Sequence, residues 1–347
     1  MRFYDCLQWD TAALKKAISS AENKAEKHWF LKALLVKDVL IVGFSVLFIT
    51  LLTTFFNQAN SSMAVVLFCI LLSVRFVDFG YKASNALVNF AMVLLVLWIV
   101  PCMSFHSALV AFLVHFCALG FVILATCENP QMGNGGLYLF SYVFLCGNPV
   151  SGDLFWLRGG MCLVGFWLCG AVYAHKHRLK HQDLGFADVV KGFDLTAYKN
   201  QWQLQMVLGM SLLFFLNELL DLPYFMWSGF ACASLLSTPS HGLKEKGIER
   251  MRGIVMGCLL FAVLYQLLPA SLASLLGIAA GLCLGVCASY RYKTVCNCFG
   301  ALLLASGIYG LGNAVYLRVF NNFIGIAFGL LFFWAYQKYI SRIRSTM

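Results

Sequence analysis

Arg158 and Arg318 stand 160 residues apart, each seven residues before a glycine in an apolar stretch. Trp156-Leu157-Arg158 leads to Gly165, and Tyr316-Leu317-Arg318 leads to Gly325. A guanidinium is a fixed fork of N–H donors that suits a carboxylate. A charge inside a bilayer is costly enough to mark a functional site by default. Two readings are open: a pair of cations lining an external vestibule for an anionic substrate, or long side chains snorkelling to the outer headgroups. His115, in Leu113-Val114-His115-Phe116, adds a mid-membrane imidazole that can relay protons or bind an anion. Its alternative is a neutral ring hydrogen-bonded to a neighbouring helix. Glu218 and Asp38 are the acids placed to titrate during transport; an external loop position for Glu218 and interfacial solvation for Asp38 are the alternatives. Arg75 and Asp78, at i,i+3 spacing, are expected to pair.

The elements that carry these residues are set by hydropathy. The 347 residues are 61% hydrophobic and 12% charged, with mean hydropathy +0.79. Soluble domains carry about 25% charged residues, and the apolar runs here approach the ~20 residues that cross a bilayer. The chain is therefore an all-α integral membrane protein. Twelve apolar segments lie at about 33–56, 62–80, 84–100, 105–126, 135–147, 154–174, 202–220, 224–240, 250–268, 270–289, 295–310 and 315–338. With the N-terminus inside, all of the 25 Lys and Arg except Arg158 and Arg318 fall on or near the inner side, as the positive-inside rule requires. Both termini are then cytosolic.

The polar link His175–Gln201 divides the chain, and the sixth and twelfth segments match in register at Arg and Gly. The expected organisation is a cytosolic amphipathic lead-in over 1–32, a six-helix repeat over 33–174, a cytosolic link over 175–201, a second six-helix repeat over 202–340, and a basic tail over 341–347. Each half crosses an even number of times, so the repeats are parallel. Within the lead-in, Thr11–Lys27 reads as one helix, solvated or lying on anionic lipid. Gly253/Gly257, Gly277/Gly281/Gly285 and Gly325/Gly329 have the GxxxG spacing of closely packed membrane helices and allow a homodimer. Trp98, Trp156, Trp202 and Trp227 read as interfacial anchors.

No phosphate loop, HExxH or G-x-S-x-G motif is present, and no two acids stand together inside the membrane. No enzyme, metal or cofactor is expected. The net charge of +10 resides in the loops, which suits a membrane surface and not nucleic acid. Most of the 14 cysteines lie in apolar segments as small hydrophobes. Cys296-Asn297-Cys298 is neither a redox CxxC nor a zinc pair, and Cys102 and Cys146 are the two placed to pair externally.

The stretch from Trp227 through Thr238-Pro239-Ser240 to Arg250-Met251-Arg252-Gly253-Ile254-Val255-Met256-Gly257 resembles the fusaric acid resistance (FUSC)-like, or aromatic acid exporter, superfamily of membrane transporters. That family often shows a Trp, a polar turn with Pro, and Arg-x-x-Gly-Thr-x-x-Gly opening the next helix. Arg250, Gly253 and Gly257 match, and Ile254 replaces the threonine. Arg318…Gly325 looks like the family's final-helix pattern. The resemblance is clear over about 203–338 and fainter over 30–175; the large soluble domain of many relatives is absent.

The resemblance implies a multi-pass transporter of the bacterial plasma membrane that exports aromatic or other organic acids. For Arg250, Arg252, Gly253 and Gly257, as for Gly165 and Gly325, the reading is structural: cationic turns and close packing. The expected function is a secondary, proton-coupled efflux transporter. Its expected partners are a small organic anion and the lipid bilayer. A passive anion channel and a non-transporting membrane scaffold or assembly protein are the alternatives.

Overall fold

A computed structural model of the chain describes residues 3–238 and 242–346. Among them the regular structure is entirely helical: α1 (Phe3–Leu7), α2 (Thr11–Ser20), α3 (Lys24–Phe56), α4 (Ser61–Ser73), α5 (Ala83–Ile99), α6 (Ala108–Thr126), α7 (Asn134–Cys146), α8 (Asp153–His177), α9 (Phe186–Lys191), α10 (Tyr198–Leu220), α11 (Met226–Leu236), α12 (Leu243–Leu267), α13 (Ala270–Ala273), α14 (Leu275–Val286), α15 (Tyr290–Tyr309) and α16 (Leu311–Thr346). Each of the twelve apolar segments overlaps a helix, the tenth being broken at Ser274 into α13 and α14.

Six helical stretches among the described residues are long and apolar enough to cross a membrane: Lys24–Phe56, Ala83–Cys102, Ala108–Thr126, Asp153–His177, Tyr198–Leu220 and Leu311–Arg342. Gln58–Ser73, Asn134–Cys146, Met226–Leu236 and Ser271–Val286 are apolar but shorter. At 1.5 Å per residue α3 is about 50 Å long, well over a hydrocarbon core of about 30 Å. Its polar first turns, with Lys24, Lys27 and Lys32, therefore project beyond that core. Val39, Leu40, Phe44, Leu47, Leu51 and Phe55 are exposed along α3. Such an apolar face suits lipid, where apolar surface carries no hydration cost. The protein is thus a multi-pass helical membrane protein.

The chain forms two compact units, Met1–Leu47 with Glu245–Asn322, and Phe48–Lys244 with Phe323–Met347. In the first, α1 and α2 bury Cys6 and Leu14 against Phe30, Ala33 and Leu34 of α3. The lead-in is therefore packed on its own chain. It is also not one helix over Thr11–Lys27: Asp10 caps α2 by accepting from Ala13 N at 2.6 Å, and the chain breaks after Ser20 before α3 begins. In the same unit α12 crosses α15 at two glycines. A Cβ on Gly253 would lie 2.7 Å from the Arg291 carbonyl oxygen, and one on Gly257 would lie 2.9 Å from the Cys298 side chain.

In the second unit α10 packs along α6, α5 along α8, and α11 along α7. Leu67, Val93, Leu97, Leu119, Val122, Tyr138, Leu139, Tyr142, Met206 and Met210 form its core. Gly165 of α8 receives the Leu67 side chain of α4, and Gly325 of α16 rests on the Ser228 carbonyl of α11.

Two local expectations change. Trp202 and Trp227 are buried, so among the four tryptophans Trp156 is the strongly exposed one; a helix end in sequence is not a helix end at the lipid boundary once neighbouring helices cover it. Asp78 pairs with Lys180 and His181. Because α4 ends at Ser73, the i,i+3 relation to Arg75 does not hold, and the Arg75 guanidinium lies 5.3 Å from the Phe76 ring centroid.

Candidate functional site

Arg158 projects from the second turn of α8 and is fully buried. Its Nε donates to the Asn60 side-chain oxygen at 2.9 Å and one Nη to the Asn148 carbonyl at 2.8 Å. The same Nη approaches Ser62 Oγ at 3.5 Å, and the other lies 3.6 Å from Cys102 Sγ. Four chain segments thus meet at one guanidinium: the 57–60 turn, the start of α4, the turn after α5 and the α7–α8 connection. Asn60 is fixed in turn, its amide donating to the carbonyls of Phe56 at 2.9 Å and Leu154 at 3.1 Å. Every partner is neutral. A buried cation without a counter-charge is expensive, and neutral hydrogen bonds offset only part of that cost. In this conformation the guanidinium is covered by its own chain. Cys102 and Cys146 are both free thiols.

Arg318, in the first unit, is 4% exposed. It lies beside the Cys298 and Cys258 thiols and 3.5 Å from the Asn297 carbonyl of α15. Asn322, one turn further along α16, is fully buried and donates to the Arg318 carbonyl at 2.8 Å. Its side-chain oxygen accepts from Arg250 Nε at 3.2 Å, while Arg250 Nη1 donates to Tyr290 Oη at 3.0 Å. The Arg250 charge is close enough to repel that of Arg318. Glu249 completes the neighbourhood, gripping Arg291 through two 2.6 Å bonds and accepting from Arg252 at 3.2 Å. Arg318 therefore belongs to a polar cluster along α12, α15 and α16, whereas Arg158 is held by helix ends.

His115 is buried in an aromatic box within the second unit. Its Nδ1 is 2.7 Å from Tyr142 Oη, Phe214 stacks on the ring at 4.1 Å, and Phe105 meets it edge-on at 5.2 Å. Asp38 is 6% exposed and lies against Gly285 of α14. Glu218 is exposed in the last turn of α10.

Asn60, Asn148, Tyr290, Asn321 and Asn322 were not singled out from the sequence. The signal for two of them was present: Asn321-Asn322 is a pair of amides inside the apolar run Phe320…Leu331, and polar groups inside membrane helices are rare. The others are recognisable only once helix ends are placed together.

The Pro239-Ser240 turn of the motif described above lies outside the described residues. Arg250, Gly253, Gly257, Arg318, Asn322 and Gly325 all lie within residues 211–332, which match the family model described as fusaric acid resistance protein-like. No curated protein matches the chain, and no solved structure does. Residues 211–332 of the chain are thus similar to the fusaric acid resistance protein-like family.

Proposed function

We propose that the protein is a secondary, proton-coupled transporter that exports organic, including aromatic, acid anions across the plasma membrane. The observation that carries this reading is the fully buried Arg158 guanidinium held by neutral partners. A fixed cation of this kind lowers the energy of an anion entering the bundle, and each Nη group that exchanges a neutral oxygen for a carboxylate gains a charge-assisted bond. Arg318, with Arg250 nearby, supplies a second positive region on the path. His115 carries the exchangeable proton, and Glu218, exposed at the end of α10, exchanges it with water.

The topology proposed with this function is twelve crossings in two parallel repeats, with both termini inside. Packing supports the repeats. Asp38 and Val207 are each five residues into the first segment of their half, and Gly120 and Gly285 each fifteen into the fourth. Asp38 lies on Gly285, and Val207 lies closest to Gly120, 3.9 Å from the position of a Cβ there. The first helix of each half thus meets the fourth helix of the other at equivalent positions.

The test is flux from proteoliposomes loaded with labelled aromatic carboxylates. Export should follow an imposed proton gradient and stop when the gradient is collapsed. Flux that ignores the gradient across a panel of such acids would refute coupled export.

A further inference from the structure

The repeat-equivalent contacts expose an anomaly. Val207 packs beside Gly120 as an apolar residue, which shows that packing at this crossing needs no charge. In the first unit the same position is Asp38, and its carboxylate occupies the space where a Cβ on Gly285 would stand. The side chain is more than nine-tenths buried. Asp38 receives no side-chain hydrogen bond and no ion pair from the described residues, although it borders a polar cavity of about 380 Å³. Its oxygens are open to this cavity rather than sealed in the packing, and no donor of the described residues meets them.

The cavity walls come from the start of α2, the middle of α3, the end of α14 and the start of α15. Asp10 borders it but is committed to capping α2. Lys37 borders it with its ammonium held by the Trp9 carbonyl. Lys293 borders it from α15, exposed and outside the ion pairs of the described residues. The charges on the cavity without a partner among the described residues are therefore the buried Asp38 carboxylate and the exposed Lys293 ammonium. A bare cation would satisfy Asp38 but meet the two lysines; a simple anion would satisfy Lys293 but meet the two acids. A molecule carrying both charges satisfies both ends. The volume is at the lower end of the roughly 300–1,000 Å³ typical of small-ligand sites.

We propose that this cavity binds a small zwitterion, with a primary ammonium on Asp38 and an anionic group at Lys293. The shared chemistry is that of a free amino acid or of the phosphoethanolamine headgroup of a lipid. The site goes beyond the organic-acid pathway and does not depend on it.

The test uses the purified full chain without any gradient, so its result is independent of transport. Calorimetric titration in detergent takes alanine and O-phosphoethanolamine as zwitterions, with ethylamine and acetate as single-charge controls. In parallel, thermal unfolding is compared in nanodiscs with and without phosphatidylethanolamine on a phosphatidylglycerol background. Saturable binding of a soluble zwitterion, at least tenfold tighter than either control, supports the site and assigns a free ligand. Stabilisation confined to phosphatidylethanolamine nanodiscs supports it and assigns a lipid headgroup. In either case Asp38→Asn should weaken the effect at least tenfold and Gly285→Ala should abolish it by evicting the carboxylate. Lys293→Gln, an exposed and fold-neutral change, should weaken it several-fold, which keeps the test decisive if the buried variants do not fold. No effect of any zwitterion or lipid, or effects equal in wild type and Lys293→Gln, overturns the proposal.

Discussion

The Arg158 guanidinium donates to the Asn60 side-chain oxygen at 2.9 Å, and Asn60 in turn donates to the carbonyls of Phe56 and Leu154. Ninety-eight residues separate the pair, so the bond fixes the α3–α4 turn against the start of α8. Removing either partner leaves buried polar groups unsatisfied. Asn60→Ala should cost about 1.5–3 kcal/mol, the range for a hydrogen bond to a charged group. Arg158→Ala should cost about 2–4 kcal/mol, because it leaves several acceptors and a cavity. Equilibrium unfolding in detergent checks both, and near-neutral values would show that the cage does not hold the turn.

Asn322 connects Arg250 to α16 by accepting from the guanidinium and donating to the Arg318 carbonyl. Asn322→Leu keeps the volume but removes both bonds. The expected loss is about 1–3 kcal/mol, together with reduced gradient-driven export. Asn322→Asp, which gives Arg250 a carboxylate partner, should restore stability but depress export of anions by placing a negative charge beside Arg318. Equal export by Asn322→Asp and the wild type would argue against a positive region on the path.

The glycines of the GxxxG pattern are not equivalent, and sequence spacing alone does not separate them. A Cβ on Gly325 would overlap the Ser228 carbonyl, whereas nothing lies within 4 Å of one on Gly281. Gly325→Ala must therefore push α16 from α11, at a cost of at least about 1–3 kcal/mol for overpacking. Gly281→Ala should be neutral or stabilise by up to about 1 kcal/mol through lower unfolded-state entropy and better helix propensity. Thermal unfolding of the two variants tests the contrast.

Asp78 supplies a pH prediction from outside the apolar helices. Burial raises the energy of its carboxylate, but a 3.0 Å hydrogen bond and the charge of Lys180, the Gly80 amide and His181 outweigh this and hold the carboxyl below its ordinary value. A depressed folded-state value means that the contribution is complete above the unfolded carboxylate value of about 4 and is lost as pH falls through the folded one. Lys180 is half exposed, so the contribution is about 1 kcal/mol or less. Asp78→Asn should flatten the acid limb of the stability profile between about pH 2 and 5, costing up to about 1 kcal/mol at pH 7, where the contribution is complete, and little at the acid end, where it is already lost. An unchanged acid limb would remove Asp78 as its source.

Membrane class and the all-helical fold were legible because hydropathy needs no partner information: long apolar runs must satisfy their backbone within helices. Boundaries were less so. Segment 62–80 ends as a helix at Ser73, and α3 begins nine residues before its apolar stretch, because helix propensity and membrane solubility stop at different residues. Arg158 and Arg318 were found from charge alone. Their surroundings were not, since Asn60 becomes a partner of Arg158 only when the α3–α4 turn meets the start of α8, 98 residues on. Asp38 was legible as an acid at the start of the first segment, but its burial and its contact with Gly285 depend on the first and tenth segments crossing.

The central claim is most directly tested by comparing wild type with Arg158→Gln in gradient-driven export of a labelled aromatic carboxylate from proteoliposomes. Glutamine keeps hydrogen-bonding groups in the cage but removes the charge, and unfolding measurements on the same samples confirm that the variant is folded. A folded Arg158→Gln protein should lose at least tenfold in export, with Arg158→Lys recovering part of it. Full export by the folded, uncharged variant would contradict the account.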